Sequence, residues 1–174
     1  MDNDPERIVA FGGRRSEGGE MKALIVCVSV SHTNTKRVAR AMGEVLGAQV
    51  VEPEDIDVSD LGGYELVGFG SGIYFMSFHD RLRRFVGSLP RVRTGARAFV
   101  FSTSGSPEPP LWGYTRRLEA QLDRVGFDVV GSFSCRGFDT VLPLRLVGGI
   151  NKGKPDSADL DRARAFARTL LESA

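Results

Sequence analysis

Ser29, Ser31, Thr33 and Thr35 place four hydroxyls in one seven-residue turn that also holds His32 and Asn34. Hydroxyl and amide donors at this density suit an anion, and the flanking residues say how they are held. Leu24 to Val28 is an apolar run rich in β-branched residues, the signature of a buried strand. After the turn, Val38, Ala41, Met42, Val45 and Leu46 recur at helical spacing and define one apolar face. A strand thus feeds a polar turn that opens a helix. The first N–H groups of that helix have no internal partner, and its dipole adds positive charge at the same end. Phosphate is the ligand such a turn suits best. A plain capping turn has the same composition, so the turn alone leaves both readings open.

Two further segments carry unusual chemistry. Ser71 to Ser77 reads SGIYFMS, with Tyr74 and Phe75 where a connection should be polar. Thr103 to Pro110 reads TSGSPEPP, small and hydroxylated, with Trp112 just beyond. Both follow apolar runs that read as strands, Glu65 to Ser71 and Ala96 to Ser102. Ala48 to Glu52 and Phe127 to Ser134 read as two more strands. Helical spacing marks segments through Phe78 to Leu89, Leu111 to Val125 and Leu160 to Leu171. Gly47 and Gly126 are expected to close helices, and Asp156 or Ser157 to open the last one. Strands alternating with helices predict an α/β protein, a parallel sheet covered on both faces by right-handed crossovers. Ligands of such sheets sit at the carboxyl ends of the strands. A phosphate turn, an aromatic pair and a small-residue loop at that edge suit a flat aromatic ligand with a phosphate tail.

The chain has 174 residues, enough for one well-cored domain. Its net charge of +1 gives no field favouring nucleic acid or an anionic membrane. No apolar run approaches the length of a membrane-spanning helix, so membrane insertion is not expected. Cys27 and Cys135 stand far apart, which suggests neither a disulfide framework nor a zinc site and fits a reducing, cytoplasmic setting. Residues 1–20 are glycine-rich and charged, without the apolar stretch of a signal peptide. They read as a mobile leader ahead of a domain spanning 21–174, with Met21 as a candidate start.

Taken together, the turn with Asn34-Thr35, the stretch GFGSGIYFMSFHDRL and the stretch FSTSGS resemble the flavodoxin-like family of FMN-binding proteins. SCRGFDT and GGINKGKP are similar to one branch of it, and the resemblance covers about residues 22–171. It implies a three-layer, doubly wound sheet of five parallel strands in the order 2-1-3-4-5, with FMN at the switch point, an arrangement known from flavodoxins themselves. It implies that Ser29, Ser31, His32, Thr33, Asn34 and Thr35 surround the phosphate. Ser71, Gly72, Ile73, Tyr74 and Phe75, with Thr103, Ser104, Gly105 and Ser106, would surround the ring. The family's phosphate loop has glycine where this chain has Thr33. A positive φ there would strain threonine.

The expected function is FMN-dependent electron transfer between protein partners, with no residue here standing out as a catalytic acid or base. Competing readings are an NAD(P)H-dependent quinone reductase and a flavodoxin-like domain without FMN that serves as a binding protein. Arg81, Arg83 and Arg84 read as a solvated helix face, and both cysteines as inert. The segment from Arg136 to Pro155 carries Phe138, Val141, Leu142, Leu144, Leu146, Val147 and Ile150. That much apolar surface predicts an ordered lid on the ligand side of the sheet.

Overall fold

The computed structural model describes residues 21–92, 95–108, 113–140 and 149–173. The expected leader at 1–20, Trp112 and the lid's residues 141–148 lie outside them. The parallel strands are β1 (Ala23–Val28), β2 (Gln49–Val51), β3 (Leu66–Tyr74), β5 (Ala96–Ser104) and β6 (Phe127–Arg136), and β4 is the short Ser77–Phe78. The helices are α1 (Asn34–Leu46), α2 (Asp80–Ser88), α3 (Tyr114–Val125) and α4 (Ser157–Glu172). The parallel strands lie in the order β2-β1-β3-β5-β6, and β4 pairs with β3 antiparallel. In chain order this is the expected 2-1-3-4-5.

Alternating side chains divide the core between the two faces of the sheet. Leu24, Val26, Val28, Val67, Phe69 and Val100 pack against α2 and α3 through Leu82, Val86, Leu118 and Leu122. Ile25, Cys27, Phe99 and Phe101 pack against α1 and α4 through Val38, Met42, Ala163 and Ala167. Full burial of a Leu, Ile, Val or Phe side chain contributes about 1.5–3 kcal/mol, so these two layers supply most of the driving force. Gly68 and Gly70 of β3 make room for the rings of β5. A Cβ on them would lie 2.3 Å and 2.2 Å from the Cζ atoms of Phe99 and Phe101.

Local signals end the helices as expected. Gly47 closes α1 at φ 62° and Gly126 closes α3 at φ 109°. Asp156 caps α4 in a reciprocal box with Asp159. One connection differs from the sequence reading. The Ser71–Ser77 segment is not a loop: β3 continues to Tyr74, and a two-residue turn at Phe75 (φ 48°) and Met76 (φ 59°) returns the chain into β4. Both turn residues are left-handed, the geometry that matches the twist of the paired strands. The following helix therefore starts at Asp80 rather than Phe78, and the Nδ1 of His79 accepts from the Arg81 N–H at 3.2 Å. No helix among the described residues is long and apolar enough to cross a membrane.

Candidate functional site

The chain leaves β1 toward α1 on one face and β3 toward α2 on the other, so a crevice opens where these two exits diverge. This cleft is shallow and open to solvent, with a cavity volume of about 30 Å³. Ser31, Asn34 and Thr35 line it from the β1–α1 turn, and Gly72, Ile73 and Tyr74 from the end of β3. Thr103, Ser104 and Gly105 contribute from β5 and Gly137, Phe138 and Asp139 from the end of β6. Four strand ends thus converge on one place.

The hydroxyls of the cleft bond to one another across it. Thr35 and Thr103, both buried, share a hydrogen bond of 2.8 Å between their Oγ1 atoms. The Tyr74 hydroxyl donates to Ser31 Oγ at 3.3 Å. Tyr114, on the far side of β5, donates to Ser104 Oγ at 3.5 Å, and burial raises its pKa. The hydroxyls that line the cleft can rotate to turn a proton toward an anion. Among the described lining residues the donor set is neutral, with no Lys or Arg and one carboxylate, Asp139.

The turn that feeds α1 is strained. His32 and Thr33 have φ of 53° and 55°, and Thr33 occupies the N-cap without a side-chain cap bond. The positive φ falls at Thr33, where the sequence resemblance implies glycine, and a β-branched residue is an outlier there. Ser29 supports the turn from beneath, its Oγ accepting from the Lys36 N–H at 3.3 Å.

Of the expected residues, Ser31, Asn34, Thr35, Gly72, Ile73, Tyr74, Thr103, Ser104 and Gly105 line the cleft. The others sit nearby with different partners. Ser71 Oγ is buried and committed, donating to the Gly72 carbonyl and accepting from the His79 N–H. His32 is exposed, pairs with Thr140 Oγ1 at 2.9 Å and packs on the Phe138 ring at 4.5 Å. The Ser106 carbonyl accepts from Ser104 Oγ. Phe75 is 94% exposed at the hairpin tip, so of the two aromatics only Tyr74 faces the cleft.

Gly137, Phe138 and Asp139 are cleft residues absent from the expected site, although the lid reading includes them. Their place is held by backbone and amide bonds. The Asn34 amide donates to the Phe138 carbonyl at 2.8 Å, and the Asn151 amide donates to the Gly105 carbonyl at 2.8 Å and the Gly137 carbonyl at 3.3 Å. Asp139 and Ile150 form an antiparallel bridge, and the Phe138 N–H donates to the Lys154 carbonyl. The described ends of the segment are therefore ordered and cross the mouth of the sheet. Behind them, Lys154 bridges Asp156 and buried Asp159, tying the strap to the start of α4. The cysteines lie in the core. Burial, the leading cause at both, pushes Cys27 and Cys135 up to about 12.

Solved structures share this architecture. A flavodoxin from the domain Archaea superposes with a TM-score of 0.66 at 19% identity, covering 88% of this chain and 98% of that one. Oxidised Flavodoxin 1 from Bacillus cereus gives 0.67 at 17% identity, covering 87% and 99%. At the sequence level, an uncharacterized protein of Methanocaldococcus jannaschii is 34% identical over 153 residues, 88% of this chain and 100% of that protein. The model of the flavodoxin domain matches residues 25–130. On that match, and on the strand order and switch-point cleft described above, the chain belongs to the flavodoxin domain family.

Proposed function

We propose that this chain is a cytoplasmic FMN-binding redox protein, built on a domain spanning 21–174, that passes electrons between protein partners. The observation that carries the reading is the cleft itself: hydroxyls from the β1–α1 turn meet an aromatic ring at the end of β3 and the hydroxylated end of β5 at the switch point. Its donor set fits FMN. In this reading Ser29, Ser31, Thr33 and Thr35 surround the phosphate at the α1 N-terminus, with His32 and Asn34 at its margin. Tyr74 flanks the ring, while Gly72 and the Thr103–Ser106 backbone let it approach closely. FMN supplies the redox chemistry when bound, and the protein supplies orientation and electrostatics.

A second reading, a family member without flavin, draws on strained Thr33 and on Asn34, whose amide is engaged by the Phe138 carbonyl. Titration with FMN and with riboflavin, followed by flavin fluorescence, separates the two. Several charge-assisted hydrogen bonds at about 1.5–3 kcal/mol each should make FMN bind orders of magnitude more tightly. Equal affinities would sink the phosphate assignment, and binding of neither flavin would favour the second reading. Reduction of the bound flavin by NAD(P)H with turnover of a quinone would replace the carrier role with a reductase role.

A further inference from the structure

A second cavity of about 430 Å³ lies on the α2–α3 side of the sheet, separate from the cleft. Its volume is in the range of small-molecule sites. Three residues that are each only 3% exposed, Phe78, Tyr114 and Leu118, form its apolar floor. Tyr114, Arg117, Leu118 and Gln121 recur at i, i+3, i+4 and i+7, so one face of α3 supplies a whole wall. Arg83 enters from α2, and Phe75 and Met76 form the rim from the hairpin tip. No carboxylate is among the described lining residues.

Two features of this cavity favour a ligand. The rim residues hold left-handed φ values of 48° and 59° and leave a phenyl ring 94% exposed and a methionine 48% exposed. Strain and exposed apolar surface at one spot both cost stability, and such outliers cluster at binding sites. The two guanidiniums are also available. Arg117 is in no ion pair among the described residues, and Arg83 meets Asp80 in an exposed pair that holds it weakly. Guanidiniums recognise carboxylates and phosphates in a planar fork and stack on flat rings.

We infer that this cavity is a second binding site, for a planar aromatic anion bearing a carboxylate or phosphate. The ring packs over Phe78, Tyr114 and Leu118 under the Phe75–Met76 rim, and the anionic group meets Arg83 and Arg117. The site stands whether or not flavin occupies the cleft.

Titration calorimetry of the full chain tests it, with 2-naphthoate as probe and neutral 2-naphthamide as its uncharged counterpart. One naphthoate per chain is expected, with naphthamide at least about tenfold weaker because it lacks the charge-assisted bonds. The double variant Arg83→Gln and Arg117→Gln should erase that difference. Phe75→Ser, at an exposed position that packing does not need, should weaken both probes. FMN titration should be unchanged in both variants. No naphthoate binding at millimolar concentration, equal affinity for the two probes, or an unchanged preference in the arginine variant would overturn the site. A parallel loss of FMN affinity would overturn the separateness of the two sites.

Discussion

Thr33→Gly should make the protein more stable, although it removes a hydroxyl from the turn proposed to hold phosphate. Thr33 is exposed, makes no side-chain cap bond and sits at φ 55°, ψ 16°. A left-handed conformation costs an L-residue roughly 1–2 kcal/mol. Glycine escapes that penalty but loses about 0.5–1 kcal/mol more backbone entropy on folding. The Thr33 carbonyl still accepts from the Arg37 N–H at 3.0 Å, because the substitution leaves the backbone in place. The net gain centres on about 0.75 kcal/mol. At this chain length it raises Tm by about 1.5–3 °C. Thermal and urea unfolding should be measured without added flavin, since a ligand bound only to the folded state would mask the effect. Thr33→Val keeps both the β-branch and the strain, so it should gain nothing. If Thr33→Gly matches Thr33→Val, or lowers Tm, the turn is not strained at Thr33. The glycine variant should also hold FMN at least as tightly, because the loop backbone then adopts its geometry freely.

Four other outcomes are expected. Gly70→Ala should lower stability by about 1–3 kcal/mol in urea, because the new methyl displaces the buried Phe101 ring; a wild-type midpoint would contradict that packing. Thr35→Val, nearly isosteric, should weaken FMN binding about tenfold or more by fluorescence titration, and unchanged affinity would remove Thr35 from the site. At pH 8 neither Cys27 nor Cys135 should react with a thiol reagent until the protein unfolds. Both folded pKa values stand at about 12 against an ordinary 9.0, so stability should fall as pH rises from 9.0 toward about 12; rapid native labelling would refute the burial. Asp156 is held down to about 2 from 3.8, first by its bond to the Lys154 ammonium. Its contribution is therefore present above 3.8 and fades as pH falls toward about 2, and Asp156→Asn should flatten that part of an acid-unfolding curve.

Much of the architecture is local and therefore legible in the residue order. The apolar period around Val38 to Leu46, the glycines at 47 and 126 and the Asp156 box act within a few residues of themselves. The strand–turn–helix at Leu24 to Leu46 could be read as an anion-binding turn for the same reason. The strand order needed the family resemblance, since no local signal says which strands become neighbours.

What tertiary structure decided is which polar atoms remain for a ligand. Asn34 looks like a phosphate residue in the chain, yet its amide reaches Phe138, 104 residues away. Ser71 looks free, but its hydroxyl is consumed between Gly72 and His79. Thr35 and Thr103 meet across 68 residues because β1 and β5 both run parallel to β3 and end at the same edge of the sheet. Tyr74 and Phe75 are adjacent in sequence but part ways, because β3 ends at Tyr74 and Phe75 opens a left-handed turn. Gly137, Phe138 and Asp139 enter the cleft only because β6 docks beside β5 and the strap returns to Asn151. Periodicity reports which face of its own element a residue occupies. Partners that lie a hundred residues apart are set by the register of the parallel strands, and that exists only once the sheet has closed around its core.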